Sequence, residues 1–161
     1  MAHQDLAAVL AIQQQCYLPA FHEPLVAFES KWAASPDTCW VAEQQGQVCA
    51  YLVCLPIEGG KLPALHASAF QRSITPDWLY LHDLAIGPQA RGTGLAPMLV
   101  SEALTRAKDL GLQQAGLVAV QDSSAFWSRF GFAINESGQQ ASGEKLASFG
   151  TGAVFMSRPI D

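Results

Sequence analysis

Gly92 and Gly94 stand one residue apart where an apolar, strand-like run (Trp78–Ile86) passes into a helix-like run that begins near Leu95. Glycine accepts backbone angles closed to other residues, so the chain can turn tightly here and leave the first amides of the following helix without partners. Those amides, with the positive end of the helix dipole, form a cradle for a phosphate or pyrophosphate. Gln89, Ala90, Arg91, Thr93 and Leu95 complete the stretch, and Arg91 can add a guanidinium and Thr93 a hydroxyl to the same anion. A tight turn without a ligand would carry the same glycine pair. Two familiar phosphate loops are set aside: no Gly-Lys-Ser/Thr follows the glycines, and Pro97 stands where a dinucleotide fold needs its third glycine.

The chain that must position this turn has 161 residues, the length of one domain covering 1–161. Half of it is hydrophobic and 14% is charged, with the apolar residues spread throughout, which marks a globular chain. A formal net charge of -5 and scattered Lys and Arg argue against nucleic acid as a partner. There is no apolar run of about 18 residues or more and no basic-then-apolar start, so a soluble, cytoplasmic protein with no membrane partner is expected. Cys16, Cys39, Cys49 and Cys54 show neither C-x-x-C pairing nor a histidine at ligand spacing, so no metal site is expected and reduced, buried thiols are.

Apolar positions at helical spacing over residues 5–16 predict a first amphipathic helix, and Pro24 suits the opening turn of a second that runs to Ala34. Between them Tyr17, Phe21 and His22 are available to line a pocket, or to pack the two helices together. β-branched and aromatic runs at 38–43 and 47–55 read as a hairpin whose nearly continuous apolar content suits a sheet covered on both faces. Residues 56–76 are long and aperiodic, the pattern of a loop over a substrate entrance. A strand at 114–120 after the helix makes a right-handed crossover with the Trp78–Ile86 strand. A short helix at 125–130, a strand at 132–135, a polar excursion at 136–150 and a last strand at 153–156 finish the chain.

The turn Gln89-x-x-Gly92-x-Gly94 resembles the Gln/Arg-x-x-Gly-x-Gly/Ala signature of the GCN5-related N-acetyltransferase (GNAT) superfamily, where it holds the pyrophosphate of acetyl-coenzyme A. A second stretch, Ser124 to Phe132, resembles the same superfamily's aromatic-Tyr-x-x-x-Gly-Phe segment at the expected distance. Within the superfamily, Tyr80-Leu81-His82-Asp83-Leu84-Ala85-Ile86 is similar to the His-x-His-x-Leu-Ala-Val strand of arylalkylamine N-acetyltransferases, and Phe126-Trp127-Ser128-Arg129-Phe130-Gly131-Phe132 to their Phe-Tyr-x-Arg-Phe-Gly-Phe. The implied fold is α/β, a mixed, mostly antiparallel sheet flanked by helices, with its central parallel strands splayed. The implied reaction moves an acetyl group from acetyl-CoA to a primary amine of a small molecule, without metal. A homodimer is the family habit. Two departures stand out: Tyr80 replaces the first histidine of the pair, and Trp127 replaces the tyrosine often used as general acid.

Carried over by the resemblance, main-chain groups near Leu84 and Ile86 face the thioester and the cofactor arm, residues 89–95 take the pyrophosphate, and Ser123, Phe126, Trp127 and Arg129 lie along the rest of the cofactor. His82 is the expected base, since imidazole titrates near neutral pH beside the expected thioester. Tyr80 shares its face in a regular strand and is a second catalytic residue, as a water-orienting group or an acid. Asp83 points the other way unless a bulge intervenes, and with Tyr17 and Phe21 is expected to bind the substrate. An indole N–H cannot usefully protonate a leaving thiolate, so a non-catalytic acyl-CoA-binding module is a competing reading. A protein or peptide acetyltransferase is a third, disfavoured by a 56–76 loop that would narrow the entrance.

Overall fold

In the computed structural model, which describes residues 1–59 and 61–161, helix α1 (Leu6–Cys16) buries Leu6, Val9, Ile12 and Gln13, three or four residues apart on one face. Helix α2 (Leu25–Ala34) starts directly after Pro24 and buries Ala27, Phe28 and Lys31. Strands β1 (Cys39–Gln44) and β2 (Gln47–Ile57) form a hairpin, turned by Gln45 and Gly46, both with positive φ (52° and 74°) as a primed two-residue turn requires. Then come β3 (Trp78–Ile86), α3 (Leu95–Asp109), β4 (Gln114–Ala119), α4 (Ser124–Ser128), β5 (Ala133–Ile134), α5 (Glu136–Ala141), α6 (Gly143–Ala147) and β6 (Val154–Pro159).

The six strands lie in the order β1-β2-β3-β4-β6-β5, all neighbours antiparallel except β3 and β4, which α3 connects. One face of the sheet, with Leu52, Leu79, Leu81 and Leu117, packs on Leu99, Val100, Ala103 and Ala107 of α3. The other face, with Tyr51, Val53, Leu55 and Tyr80, packs on Leu6, Val9 and Phe28 of α1 and α2. Cover on both faces is what the continuous apolar runs of β2 and β3 call for. This is the mixed, mostly antiparallel sheet expected from the resemblance.

Two irregularities in β3 shape everything near it. β3 and β4 are paired only from Trp78–Gln114 to Leu81–Leu117, yet β3 continues to Ile86, so the two strands part beyond Leu81. At the same place the register with β2 shifts: Val53 faces Asp83 while the next residue, Cys54, faces Leu81, leaving His82 as the extra residue of a bulge.

Pro97 causes no break, because α3 begins at Leu95 and the proline falls in its first turn, where an amide has no helical acceptor. β6 is longer than the expected 153–156, since β4 pairs with it along its whole length, Gln114 to Ala119 against Pro159 to Val154. The polar excursion folds into α5 and α6, with the Asn135 side chain accepting from the Gly138 amide at 2.8 Å. Among the described residues no helix is long and apolar enough to cross a membrane.

Leu117 is fully buried at the last paired position before the strands part. Leu117→Ala is expected to lower unfolding stability by about 2–5 kcal/mol, read from the shift of the urea midpoint at unchanged slope.

Candidate active site

The gap between the parted strands is a cavity of about 620 Å³. Leu81, Leu84 and Ile86 of β3 and Val118 and Val120 of the opposing segment form its walls. The glycine turn and the start of α3 (Ala90, Arg91, Gly92, Gly94, Leu95, Pro97) close one end; Ser123, Phe126, Trp127 and Arg129 lie along it from the α4 segment. Cys16, Tyr17 and Phe21 line it from the α1–α2 connection, next to His82 and Asp83.

At the turn, Gly92 and Gly94 have φ of 76° and 83°, the left-handed region, and a Cβ on either would point into open space. Backbone strain, then, is what excludes other residues there. Among the described residues no backbone acceptor is paired with the amides of residues 91–94. Free amides at a helix start beside a cavity fit the pyrophosphate of a coenzyme A. Arg91 spans from the Ile86 carbonyl (Nε, 3.4 Å) to Cys16 Sγ (3.9 Å) and is exposed, so it is free to turn toward an anion. Arg129 lies over the Phe126 ring at 5.1 Å, and Trp127 is packed among Phe126, Phe130 and Phe132 while still lining the cavity.

Not every expected residue is there. Gln89 is exposed and does not line the cavity, and Thr93 turns its hydroxyl back to the Ala90 carbonyl at 2.6 Å. Tyr80 lies 5.7 Å from His82, ring to ring, but it is wholly buried against α1 and α2, its hydroxyl has no partner, and it does not reach the cavity. Burial and the charges of Glu23 and Asp83 hold its phenol far above the ordinary range, so an acid role gains nothing from this placement. The described residues of 56–76 do not line the cavity either: they are tied beside α2, with Phe70 donating to Ser30 Oγ (2.8 Å) and Arg72 to Asp37 (3.0 Å). The residue that reaches the cavity from a long excursion is Phe149, after α6.

The bulge decides which polar side chains line the end of the cavity beside β3. Because His82 is the extra residue, Asp83 falls on the same side of the strand as Tyr80 and Ala85, and both His82 and Asp83 line the cavity. Asp83 Oδ2 accepts from Tyr51 Oη at 2.7 Å, while its Oδ1 is buried and unpartnered. Burial raises the Asp83 carboxyl to about 6, against the lowering pull of the Tyr51 hydrogen bond, of His82 and of the Tyr17 hydroxyl. Tyr17 donates to the Leu84 carbonyl at 2.7 Å, and its phenol is driven well up by burial and by Asp83.

His82 Nε2 is 2.9 Å from Glu23 Oε2, with both side chains 2% exposed. Neither Glu23 nor Lys31 was marked by the sequence as part of a site. Lys31, fully buried on α2, donates to both Glu23 oxygens at 3.0 Å, the His66 amide donates to Oε1 at 2.9 Å, and Gln13 brackets the Glu23 main chain with bonds of 2.8 and 3.1 Å. Burial alone would raise the Glu23 carboxyl, but His82 and Lys31 outweigh it and hold it at about 2. A carboxylate only accepts, so His82 Nε2 must carry its hydrogen toward Glu23, and Nδ1, which has no partner, is left with its lone pair in the neutral ring. One signal for Lys31 existed: it shares the buried face of α2 with Ala27 and Phe28, where a lysine needs a partner.

A sequence model of the Acetyltransferase (GNAT) family matches residues 6–132. L-2,4-diaminobutyric acid acetyltransferase of Halomonas elongata is 28% identical over 95 residues, which are 58% of this chain and 42% of that protein, so the match spans under half of the relative's length. Among solved structures, the GphF GNAT-like decarboxylase in complex with isobutyryl-CoA superposes with TM-score 0.77 at 15% identity, covering 100% of this chain and 97% of that one. The PaiA N-acetyltransferase of Thermoplasma acidophilum in complex with coenzyme A gives TM-score 0.69 at 12% identity, covering 99% and 95%. At such identities the structural likeness speaks for the fold.

Lys31→Met leaves the Glu23 carboxylate buried without its cation and is expected to cost about 3–5 kcal/mol in urea unfolding. Because Glu23 titrates at about 2 in the folded chain against an ordinary 4.5, its contribution is complete above 4.5 and disappears as pH falls from there through 2. Unfolding stability measured across that window should fall less steeply with acid in Glu23→Gln than in the parent.

Proposed function

The chain belongs to the Acetyltransferase (GNAT) family, and on that premise we propose that it moves an acetyl group from acetyl-CoA to the primary amine of a small molecule, both held together in the cavity. The observation that carries this reading is the unpartnered Nδ1 of His82, its opposite nitrogen fixed by Glu23, at the point where β3 and β4 part. Acetyl-CoA, when bound, would supply the acetyl thioester and leave as coenzyme A.

The residues divide the work by place. The amides of residues 91–94 and the guanidinium of Arg91 bind the pyrophosphate, Arg129 takes an adenosine phosphate, and Ser123, Phe126 and Trp127 flank the arm. Main-chain groups near Leu84 and Ile86 orient the thioester carbonyl; Tyr17 and Phe21 hold the amine's body. An alkylammonium must lose a proton before it can attack, and His82 Nδ1 is the acceptor. The nitrogen gives up two protons in all: the first passes through His82 to solvent before attack, and the second, shed by the acylated nitrogen as the nitrogen–carbon bond forms and the carbon–sulfur bond breaks, goes to the departing thiolate through His82 or water. Trp127 gives no proton, so no side chain at that position assists the thiolate, whose ordinary thiol pKa of about 8.5 makes it a tolerable leaving group. Glu23 and Lys31 act through His82 by fixing its ring and are positioning residues.

The test begins with calorimetric titration of acetyl-CoA, followed by free-thiol release as primary amines are added. Binding with turnover is the expected result. His82→Ala should then lower kcat by about 10²–10⁴-fold at unchanged acetyl-CoA affinity, and Gly94→Val should abolish that affinity. Binding without turnover on a broad amine panel would replace this reading with a non-catalytic acyl-CoA-binding module, and no binding would overturn both.

A further inference from the structure

The acceptor end of the cavity has an unbalanced charge. Asp83 lines the cavity with its Oδ2 held by Tyr51 at 2.7 Å; the Tyr17 hydroxyl, which donates to the Leu84 carbonyl, also bears on the carboxylate, and the buried Oδ1 has no hydrogen-bond partner of its own. An unpaired acceptor in a buried place is costly unless a ligand satisfies it. Around it the lining is aromatic and apolar, Tyr17 and Phe21 with ring centroids 6.4 Å apart. The two cations that line the cavity among the described residues are Arg91, on the glycine turn, and Arg129, directly after α4; both are exposed and are assigned above to phosphates. Lys31, the buried cation nearest in the network, is consumed by both oxygens of Glu23.

We propose that Asp83 Oδ1 docks the ammonium of the acceptor before His82 deprotonates it, and that the acceptor is an amine with an uncharged apolar or aromatic body and no carboxylate beside the nitrogen. This rests on the acetyltransferase reading and departs from the amino-acid acceptor in the name of the Halomonas relative. A substrate carboxylate near Asp83 would face a like charge with no free cation among the described lining residues to pair with, whereas a bare ammonium gives Asp83 Oδ1 the hydrogen bond it lacks. Consecutive residues perform the two steps because the bulge turns His82 and Asp83 into the same space. With Asp83 rising to about 6, the carboxylate form prevails at neutral pH.

The experiment uses the full chain and matched pairs that differ by one carboxylate: phenethylamine against phenylalanine, and pentylamine against norleucine. Calorimetric affinity for the CoA-loaded protein and kcat/KM with acetyl-CoA are both measured. The carboxylate-free member of each pair is expected to be favoured by about 100-fold or more, and Asp83→Asn, which keeps the Tyr51 hydrogen bond, to raise amine KM by about 10–100-fold with acetyl-CoA affinity unchanged. Equal or better use of the amino acids would overturn the proposal, placing Arg91 as a carboxylate partner. So would an Asp83→Asn variant whose amine KM and affinity match the parent. If no amine turns over, the acetyltransferase reading fails separately, and the calorimetric preference and its loss in Asp83→Asn still decide the role of Asp83.

Discussion

The parting of β3 and β4 is the constraint on which this molecule turns. Parallel strands that stayed paired to their ends would fill the space with hydrogen bonds; here pairing stops at Leu81–Leu117, and the backbone beyond is turned over to a cavity. The cost is borne by the rest of the sheet. β2 holds β3 from Ala50–Ile86 to Ile57–Trp78, and β6 holds β4 along its entire length, so each free edge is backed by an antiparallel neighbour. Helix α3 covers one face and α1 with α2 the other, which leaves the opening at one end of the sheet, where the glycine turn starts the helix.

Into that gap a single extra residue delivers two polar side chains. The bulge at His82 sets it and Asp83 side by side, and each is fastened from behind by a group outside the gap: His82 by Glu23, Asp83 by Tyr51. The fastening is the expensive part of the fold. Glu23 and Lys31 are charges in a nearly dry interior, tolerable because every oxygen of Glu23 is met, by Lys31, His82 and the His66 amide. The segment between β2 and β3 thereby acquires a part in the site although none of its described residues lines the cavity, since its His66 amide and Ala67 carbonyl complete the environment of the Glu23–Lys31 pair.

What could be read from the sequence and what could not divides by range. The glycine turn, β3, α3 and the aromatic segment are local patterns, each written in ten or so consecutive residues, and the fold class came with them. The Glu23–His82 contact joins residues 59 apart and the Tyr51–Asp83 contact residues 32 apart, so neither has a spacing to notice. The side on which Asp83 falls depends on a register shift against β2, which no reading of β3 alone supplies. Tyr80 illustrates the opposite error: strand periodicity put it beside His82, and it is beside His82, but on the buried side of the bulge where it meets α1 and α2. Residues 56–76 looked like a lid because they lack periodicity, a property shared by segments fastened through main-chain and side-chain polar bonds, as this one is to Glu23, Ser30 and Asp37.

A proton-accepting role for His82 depends on which of its nitrogens is free. Nitrogen-15 NMR of histidine-labelled protein, with His82 assigned by comparison with His82→Ala and followed from pH 6 to 9, reads this directly. A neutral His82 protonated on Nε2, with an unprotonated Nδ1 whose resonance responds when an amine acceptor is added to the CoA complex, is the result the structure predicts. A neutral ring protonated on Nδ1, with Nε2 bare against the Glu23 carboxylate, would contradict the hydrogen-bond network and remove His82 as the base.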